Sequence, residues 1–232
     1  MAAQPLLSED GHKRIVAAID VIDEKSDGEV YCLIAPEASA YREVPLAWAA
    51  VVALVLPPLA LMLGFDPTML LHLAEGWTAE QTVLIRQEVA WALSNYAVAQ
   101  AALFGLVALI VSIPAVRRAM TPDVLKAHRV RRMAMQHFTT TGIHLAPTQP
   151  HILLFLSLAE RRVEIIAGEA IHKIEGQALW DAARSAIIAD MNGADPAKGI
   201  VRAIEMVGAP LIRHFPPSGM HPNVTADGVR QL

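Results

Sequence analysis

Two stretches of the chain contain no charged residue. The first runs from Val44 to Phe65 and the second from Val89 to Val116. Each exceeds the roughly 20 apolar residues that an α-helix needs to cross the hydrocarbon layer of a membrane. A pair of buried core helices is the alternative, and the length of both stretches disfavours it. The pattern therefore predicts a transmembrane hairpin over residues 44–116, with a connecting loop at 66–88.

Shorter periodic patterns surround the hairpin. Ser8 can cap a helix with apolar positions at helical spacing, and Glu29–Ala35 alternates like a strand. A break of three charged residues, Glu160 to Arg162, divides two apolar runs and predicts a tight charged turn between two strands. The other predicted elements are a helix at 122–140, strands at 151–158 and 163–167, a helix at 177–191, and an amphipathic helix that Asp195 caps and Pro196 begins.

The strand before the hairpin needs partners, because a single strand cannot bury its own faces. We therefore expect Glu29–Ala35 to join the two later strands in one sheet, with helices on both faces. On this interpretation residues 1–43 and 117–217 form one α/β domain that the hairpin interrupts, and 218–232 form a C-terminal tail.

Composition strengthens the membrane prediction. Hydrophobic residues make up 54% of the chain and mean hydropathy is +0.38, which is more apolar than an ordinary soluble domain. Neither apolar stretch contains Asp, Glu, Lys or Arg, so a transporter or pump would lack a charged pathway. Gln100 is expected to hydrogen-bond across the helix pair or to a second copy of the protein in a homo-oligomer.

Basic residues indicate the orientation of the hairpin. Lys25 and Arg42 precede the first stretch, whereas the connecting loop contains only Arg86 among several acids. Because Lys and Arg are enriched on the cytoplasmic side, both termini are predicted in the cytoplasm of a bacterium and the loop outside the inner membrane. The residues expected to contact anionic lipid headgroups are Arg117, Arg118, Lys126, Arg129 and Arg132. A merely solvated basic face is the alternative for the last three.

Few residues suggest chemistry. The nine histidines show no zinc spacing, Cys32 is the single cysteine, and there is no glycine-rich phosphate loop or serine elbow. Acids near strand ends could share a divalent cation if those ends meet, and simple solvation of these carboxylates is the alternative. These acids are Asp27, Glu29, Glu160, Glu164 and Glu169.

Three segments together resemble a known family. The segments are "IVAAIDVIDEKSDGEVYCLIA", "LLFLSLAERRVEIIA" and "IRHFPP". They are similar to the membrane-bound proteobacterial branch of the TPM domain family, along almost the whole chain. The motif residues that carry the resemblance are Glu24, Ser26, Gly28, Glu29, Ala159, Glu160, Arg161, His214, Phe215, Pro216 and Pro217.

The resemblance implies a TPM-like helix/sheet/helix sandwich interrupted by a two-helix transmembrane hairpin. Relatives in other branches are credited with acid phosphatase activity, calcium binding or help in assembling membrane complexes. Family members are often encoded beside LemA-type membrane proteins, which suggests such a partner. Two positions depart from the family pattern: Gly168 stands where an acid is usual, with Glu169 following, and His151 replaces a glycine.

Two functions follow as hypotheses. The first is a non-catalytic adaptor or assembly factor for other membrane proteins, which contacts membrane lipids, binds no nucleic acid and needs no cofactor. The second is a metal-assisted phosphohydrolase that uses calcium or another divalent cation, with Asp27 and Glu160 as metal candidates and Arg161 or Arg162 receiving phosphate. The candidate site residues are Glu24, Asp27, Glu29, Glu160, Arg161, Arg162, Glu169 and His214.

Overall fold

The computed structural model describes residues 7–64, 85–140, 150–191, 193, 195–218 and 229–231, without the side chains of 85–92, 230 and 231. Most of the predicted outer loop at 66–88 and of the tail at 218–232 therefore lies outside the described residues. The chain divides into two compact units. The α/β unit comprises residues 1–40 and 123–232, and the second unit is Tyr41–Pro122.

Most helices and strands follow the predicted pattern, but the short helices Pro114–Met120 and Glu169–His172 and the strand Val229–Gln231, within the predicted tail, were not predicted. Strand Glu29–Ala35 and helix Gln177–Met191 have the predicted bounds. In chain order the elements are α1 (Glu9–Asp23), β1 (Glu29–Ala35), α2 (Glu43–Met62), α3 (Ile85–Ser112), α4 (Pro114–Met120), α5 (Asp123–Thr140), β2 (His151–Ser157), β3 (Arg162–Ala167), α6 (Glu169–His172), α7 (Gln177–Met191), α8 (Pro196–His214) and β4 (Val229–Gln231).

The strands form one four-stranded mixed sheet in the order β3-β2-β1-β4. β1 pairs in parallel with β2 over its whole length, from Glu29 opposite His151 to Ala35 opposite Ser157. β4 is parallel to β1 on its other side, whereas β3 is antiparallel to β2. The prediction of a shared sheet is confirmed, because a strand from before α2 and strands from after α5 pair directly.

Helices cover both faces of this sheet. Val30, Cys32 and Ile34 of β1 point into a core with α1, α7 and α8, while Leu33 and Ala35 pack with α5 on the other face. All seven residues of β2 are buried, as expected for a strand with both faces covered. The α/β class is therefore confirmed.

The residues predicted to cap α1 and α8 have different roles in the structure. The Ser8 hydroxyl accepts a hydrogen bond from the Gly11 N–H at 3.0 Å, which caps α1 as predicted. Asp195 directly precedes α8, with Pro196 at the first helical position, but its side chain makes no capping hydrogen bond. The Asp195 carboxylate instead binds Nη2 of Arg14 at 2.8 Å through both oxygens, and this contact lowers the pKa of Asp195. Tertiary pairing with α1 takes the place of the predicted cap.

In the second unit, α2 and α3 pack together, and we call them the apolar helix pair. The Gln100 side chain donates a hydrogen bond to the Ala53 carbonyl at 2.9 Å, so the predicted bond across the pair is present. Segments 43–62 and 93–112 are the strongly apolar parts of this pair. Both helices are long and apolar enough to span a membrane.

Candidate functional site

The charged break between the apolar runs forms the turn between β2 and β3. The Glu160 carboxylate accepts hydrogen bonds from the Ala38 N–H at 3.1 and 3.2 Å and from the Ser157 hydroxyl. Arg161 follows with φ of 51°, in the left-handed region that side chains other than glycine rarely adopt. Glu160 therefore ties the hairpin tip to the segment that leads from β1 toward α2.

The acids expected to share a cation lie far apart. Glu29 opens β1, whereas Glu160 is bonded beside the end of β1, so six residue steps of about 3.3 Å separate them by roughly 20 Å. Glu164 lies within β3, and Glu169 follows it at the same end of the sheet as Glu29. Asp27, Glu29 and Glu169 lie at one end of the sheet and Glu160 at the other, so the predicted convergence of all these acids does not occur, and Asp27 and Glu160 lie too far apart to share one metal ion.

The two arginines of the turn also diverge. The guanidinium of Arg162 donates to the Asp123 carbonyl at 3.3 Å and lies 3.7 Å from its carboxylate, at the start of α5. Arg161 instead borders a cavity on the sheet face that carries α7 and α8. A phosphate held by both side chains would need them on one face, which this arrangement does not provide.

Several motif residues meet where β1 begins and α8 ends. The Asp27 N–H donates to the Phe215 carbonyl at 2.9 Å, and its carboxylate accepts from the Ser218 N–H at 3.0 and 3.1 Å. A Cβ on Gly28 would lie 2.8 Å from Leu211, so glycine permits the close approach. The IRHFPP segment, residues 212–217, thus packs against the turn at residues 26–28 and holds it in place.

Three further candidates occupy exposed or peripheral positions. Glu24 is exposed at the end of α1. Glu169 is exposed on α6 and pairs with Lys173 at 2.6 Å, which lowers the pKa of Glu169. Nε2 of His214 lies 3.7 Å from the Glu175 carboxylate. The structure therefore does not bring Glu24, Glu169 and His214 together with Glu160.

A buried polar cluster that the sequence prediction missed lies at the Glu29 end of the sheet. The Tyr31 hydroxyl donates to the Glu29 carboxylate, and Nδ1 of His151 lies 3.9 Å from the same group. Burial lowers the pKa of His151, and burial, followed by the charges of Glu29 and Asp20, raises the pKa of Asp23 to about 7. The sequence signal that could have revealed this cluster was Asp23, an acid that directly follows the buried Ile22 in α1.

The predicted basic face of α5 is only partly correct. Arg132 is exposed, but Arg129 is half-buried and the Lys126 side chain is 20% exposed and pairs with Asp123 at 3.4 Å. Lys126 lies one helical turn before Val130, which is fully buried against the sheet, so the two residues share a face. Of the other two predicted lipid contacts, Arg118 is exposed and Arg117 is half-buried on α4.

Exposed apolar side chains are concentrated on the apolar helix pair. In an 18-residue window of each membrane-length segment, 43–62 and 93–112, 22% and 6% of the residues are buried within the protein. Leu54, Met62 and Leu109 are 64%, 85% and 71% exposed, respectively. Exposed apolar surface of this kind is typical of membrane or protein interaction sites.

Comparisons with known proteins identify the fold alone. No protein-family model and no curated protein matches the chain. The chain is similar to the NMR structure of the BA42 protein from the psychrophilic bacterium Bizionia argentinensis, with 14% identity and a TM-score of 0.53. The match covers 99% of this chain and 97% of that one. Likeness at this identity carries the α/β architecture and no activity.

Proposed function

We propose that the apolar helix pair spans the bacterial inner membrane and anchors the α/β unit in the cytoplasm. The observation that carries this proposal is the exposure of large apolar side chains along both helices. Leaving a side chain such as Leu54 in water costs about 1.5–3 kcal/mol relative to burying it. A bilayer removes this cost along segments 43–62 and 93–112.

The orientation follows from the basic residues. Both termini face the cytoplasm and residues 66–88 face the periplasm, because Lys and Arg cluster before α2 and after α3. Alkaline phosphatase, which is active only after export, should be active when fused after Gly76 and inactive when fused after Leu232. A fluorescent protein that matures only in the cytoplasm should give the reciprocal result. Phosphatase activity at Leu232 rather than at Gly76 would refute the orientation.

The α/β unit serves, in our proposal, as a non-catalytic adaptor that docks other membrane proteins or assists their assembly. This proposal is supported by the structural roles of the acids that had suggested catalysis or metal binding. The Glu160 and Asp27 carboxylates both accept backbone N–H hydrogen bonds and hold loops at opposite ends of the sheet. The Glu160 tether also links the β2–β3 turn to the segment leading to α2, which makes this region a suitable contact for a membrane partner. A LemA-type protein is one candidate.

Affinity purification from native membranes with mass spectrometry tests the adaptor. The wild-type protein should recover a reproducible membrane protein, and Glu160→Ala or Arg161→Asn should lose it while the fold survives. Arg131→Asn is the matched control, because Arg131 is exposed on α5. Failure to recover a partner, together with divalent-dependent phosphatase activity that Glu160→Ala abolishes, would favour the phosphohydrolase hypothesis instead.

A further inference from the structure

A cavity of about 470 Å³ lies within the α/β unit, beside the carboxyl ends of β1 and β2. Ile34 and Leu156 form its floor on the sheet, and Met191 and Ile200 line it from α7 and α8. Ligands of α/β proteins commonly bind beyond the carboxyl ends of parallel strands. The volume falls within the roughly 300–1,000 Å³ typical of small-molecule sites.

The lining has a marked chemical asymmetry. Among the described residues that border the cavity, Arg161 is charged and all the others are apolar. The interior therefore favours a hydrocarbon, while one edge offers a guanidinium that binds carboxylate or phosphate through two parallel hydrogen bonds. A methylene group occupies about the volume of a water molecule, roughly 30 Å³, so the cavity holds about 15 heavy atoms at most.

The backbone of the turn fixes Arg161 at this edge. The Arg161 N–H donates to the Leu158 carbonyl at 3.2 Å, and the preceding Glu160 is tied to Ala38 and Ser157. Within the described residues no carboxylate pairs with Arg161, since the neighbouring Glu160 carboxylate is occupied by its own donors. The exposed guanidinium is thus available to an anion at the mouth of the cavity.

We propose that this cavity binds a single-chain amphipathic anion, with its alkyl chain against the partly buried Leu158, Met191 and Pro196 and its carboxylate or phosphate head at Arg161. This site is additional to the adaptor role and does not depend on it. The ligand could be a free alkyl acid or an alkyl phosphate, because the two-chain lipids of a bilayer exceed the roughly 15 heavy atoms that the cavity holds.

Photolabelling of the full-length protein in phosphatidylcholine nanodiscs tests the site. A decanoic acid probe with a photoreactive group at the far end of its chain should label peptides that contain Leu158 or Met191. Octanoate, decanoate and dodecanoate should compete with about fourfold gain per added methylene until the cavity is full. Decanol, which lacks the charge, should compete at least tenfold less well than decanoate. A comparison of decyl phosphate with decanoate identifies the preferred head group.

Two variants separate the head from the chain. Arg161→Asn removes the charge, and asparagine tolerates the left-handed backbone. This variant should weaken competition by decanoate at least tenfold and leave competition by decanol unchanged. Met191→Trp places a larger side chain in the cavity and should reduce labelling at this site. The matched controls Arg131→Asn and Met135→Trp lie on the outer side of α5 and should label as the wild type does. Circular dichroism establishes that each variant remains folded.

The proposal is overturned if label appears only in α2 and α3, if Met191→Trp labels normally, or if decanol and decanoate compete equally.

Discussion

The carboxylates near the ends of the strands lie in different environments. Glu160 and Asp27 each accept backbone N–H hydrogen bonds from a segment distant in the chain. Asp23 lies instead beside Glu29 at the end of α1, where burial and a like charge both disfavour its ionised form. The first pair fastens loops, whereas Asp23 makes stability depend on pH.

Removal of the Glu160 carboxylate should loosen the segment after β1. Glu160→Ala deprives the Ala38 N–H of its acceptor, a change that costs about 1–3 kcal/mol. We expect hydrogen exchange at Ala38 to accelerate by roughly 10- to 100-fold, since about 1.4 kcal/mol corresponds to tenfold. Glu205→Ala on the exposed side of α8 is the control. Unchanged exchange at Ala38 in Glu160→Ala would contradict the tether.

The environment of Asp23 predicts that stability declines as pH rises. Its pKa is raised to about 7 in the folded protein, so between about pH 4 and pH 7 the folded carboxyl holds a proton that the unfolded carboxyl has lost. Stability associated with Asp23 is present below pH 4 and is lost as pH rises through 7.

The variant Asp23→Asn should remove this dependence. We expect it to stabilise the protein by about 1–2 kcal/mol at pH 8, after allowance for solvent screening, and to have little effect at pH 4. Urea unfolding at the two pH values measures the difference, with Glu205→Gln as the control. An equal effect of Asp23→Asn on stability at both pH values would exclude Asp23 as the source of the pH dependence.

At the scale of elements, the α7–α8 contact depends on one small residue. A Cβ at Gly199 would lie 2.8 Å from the Ala186 carbonyl oxygen and from the Asp190 Cβ. Backbone at that distance cannot rotate away, so the two helices would have to separate. The side chains around Gly199 on α8, including Ile200 and Ala203, would lose packing as a result.

Gly199→Ala should therefore destabilise the α/β unit by about 1–3 kcal/mol. Gly105→Ala in α3 is the matched control, because a Cβ added at Gly105 would meet no other atom within 4 Å among the described residues and alanine favours a helix by up to about 1 kcal/mol. Thermal unfolding followed by the fluorescence of the buried Trp180 provides the measurement, with the other three tryptophans replaced by phenylalanine in every protein compared. A transition midpoint that Gly199→Ala does not lower would show that α7 and α8 can adjust.

At the scale of the whole molecule, the α/β unit is assembled from two distant parts of the chain. β1 lies between β2 and β4, and α1 packs in the core formed by α7 and α8. The residues before α2 thus supply a central strand and a covering helix. Neither part contains a complete core without the other.

Replacement of residues 41–122 by a flexible linker should leave a soluble, cooperatively folded α/β unit. A Gly/Ser linker of about 15 residues spans roughly 20 Å on average. Residues 123–232 alone should fail to unfold cooperatively, because β2 and β4 lose the strand that joins them. Urea unfolding and size-exclusion chromatography compare the two proteins. An equal unfolding midpoint for 123–232 alone would show that the first part is dispensable.

Much of the fold was predictable because it depends on local patterns. The uncharged stretches, the alternation in Glu29–Ala35 and the capping Ser8 identified elements that the structure contains. The need of a lone strand for partners was enough to predict one shared sheet. Lys126 was misplaced because a basic residue near the edge of a buried face cannot be recognised from charge alone.

The candidate site was less predictable, because strand direction and register determine which distant side chains meet. Parallel pairing of β1 with β2 separates Glu29 from Glu160. Tertiary burial, with the charges of Glu29 and Asp20, raises the pKa of Asp23, and burial lowers the pKa of His151. The cavity beside Arg161 likewise arises from the packing of α7 and α8 on the sheet. Sequence by itself determined the elements and their apolar faces, since periodicity is a local property. Tertiary structure decided the chemistry of each site, since distances between remote residues exist only after the elements pack.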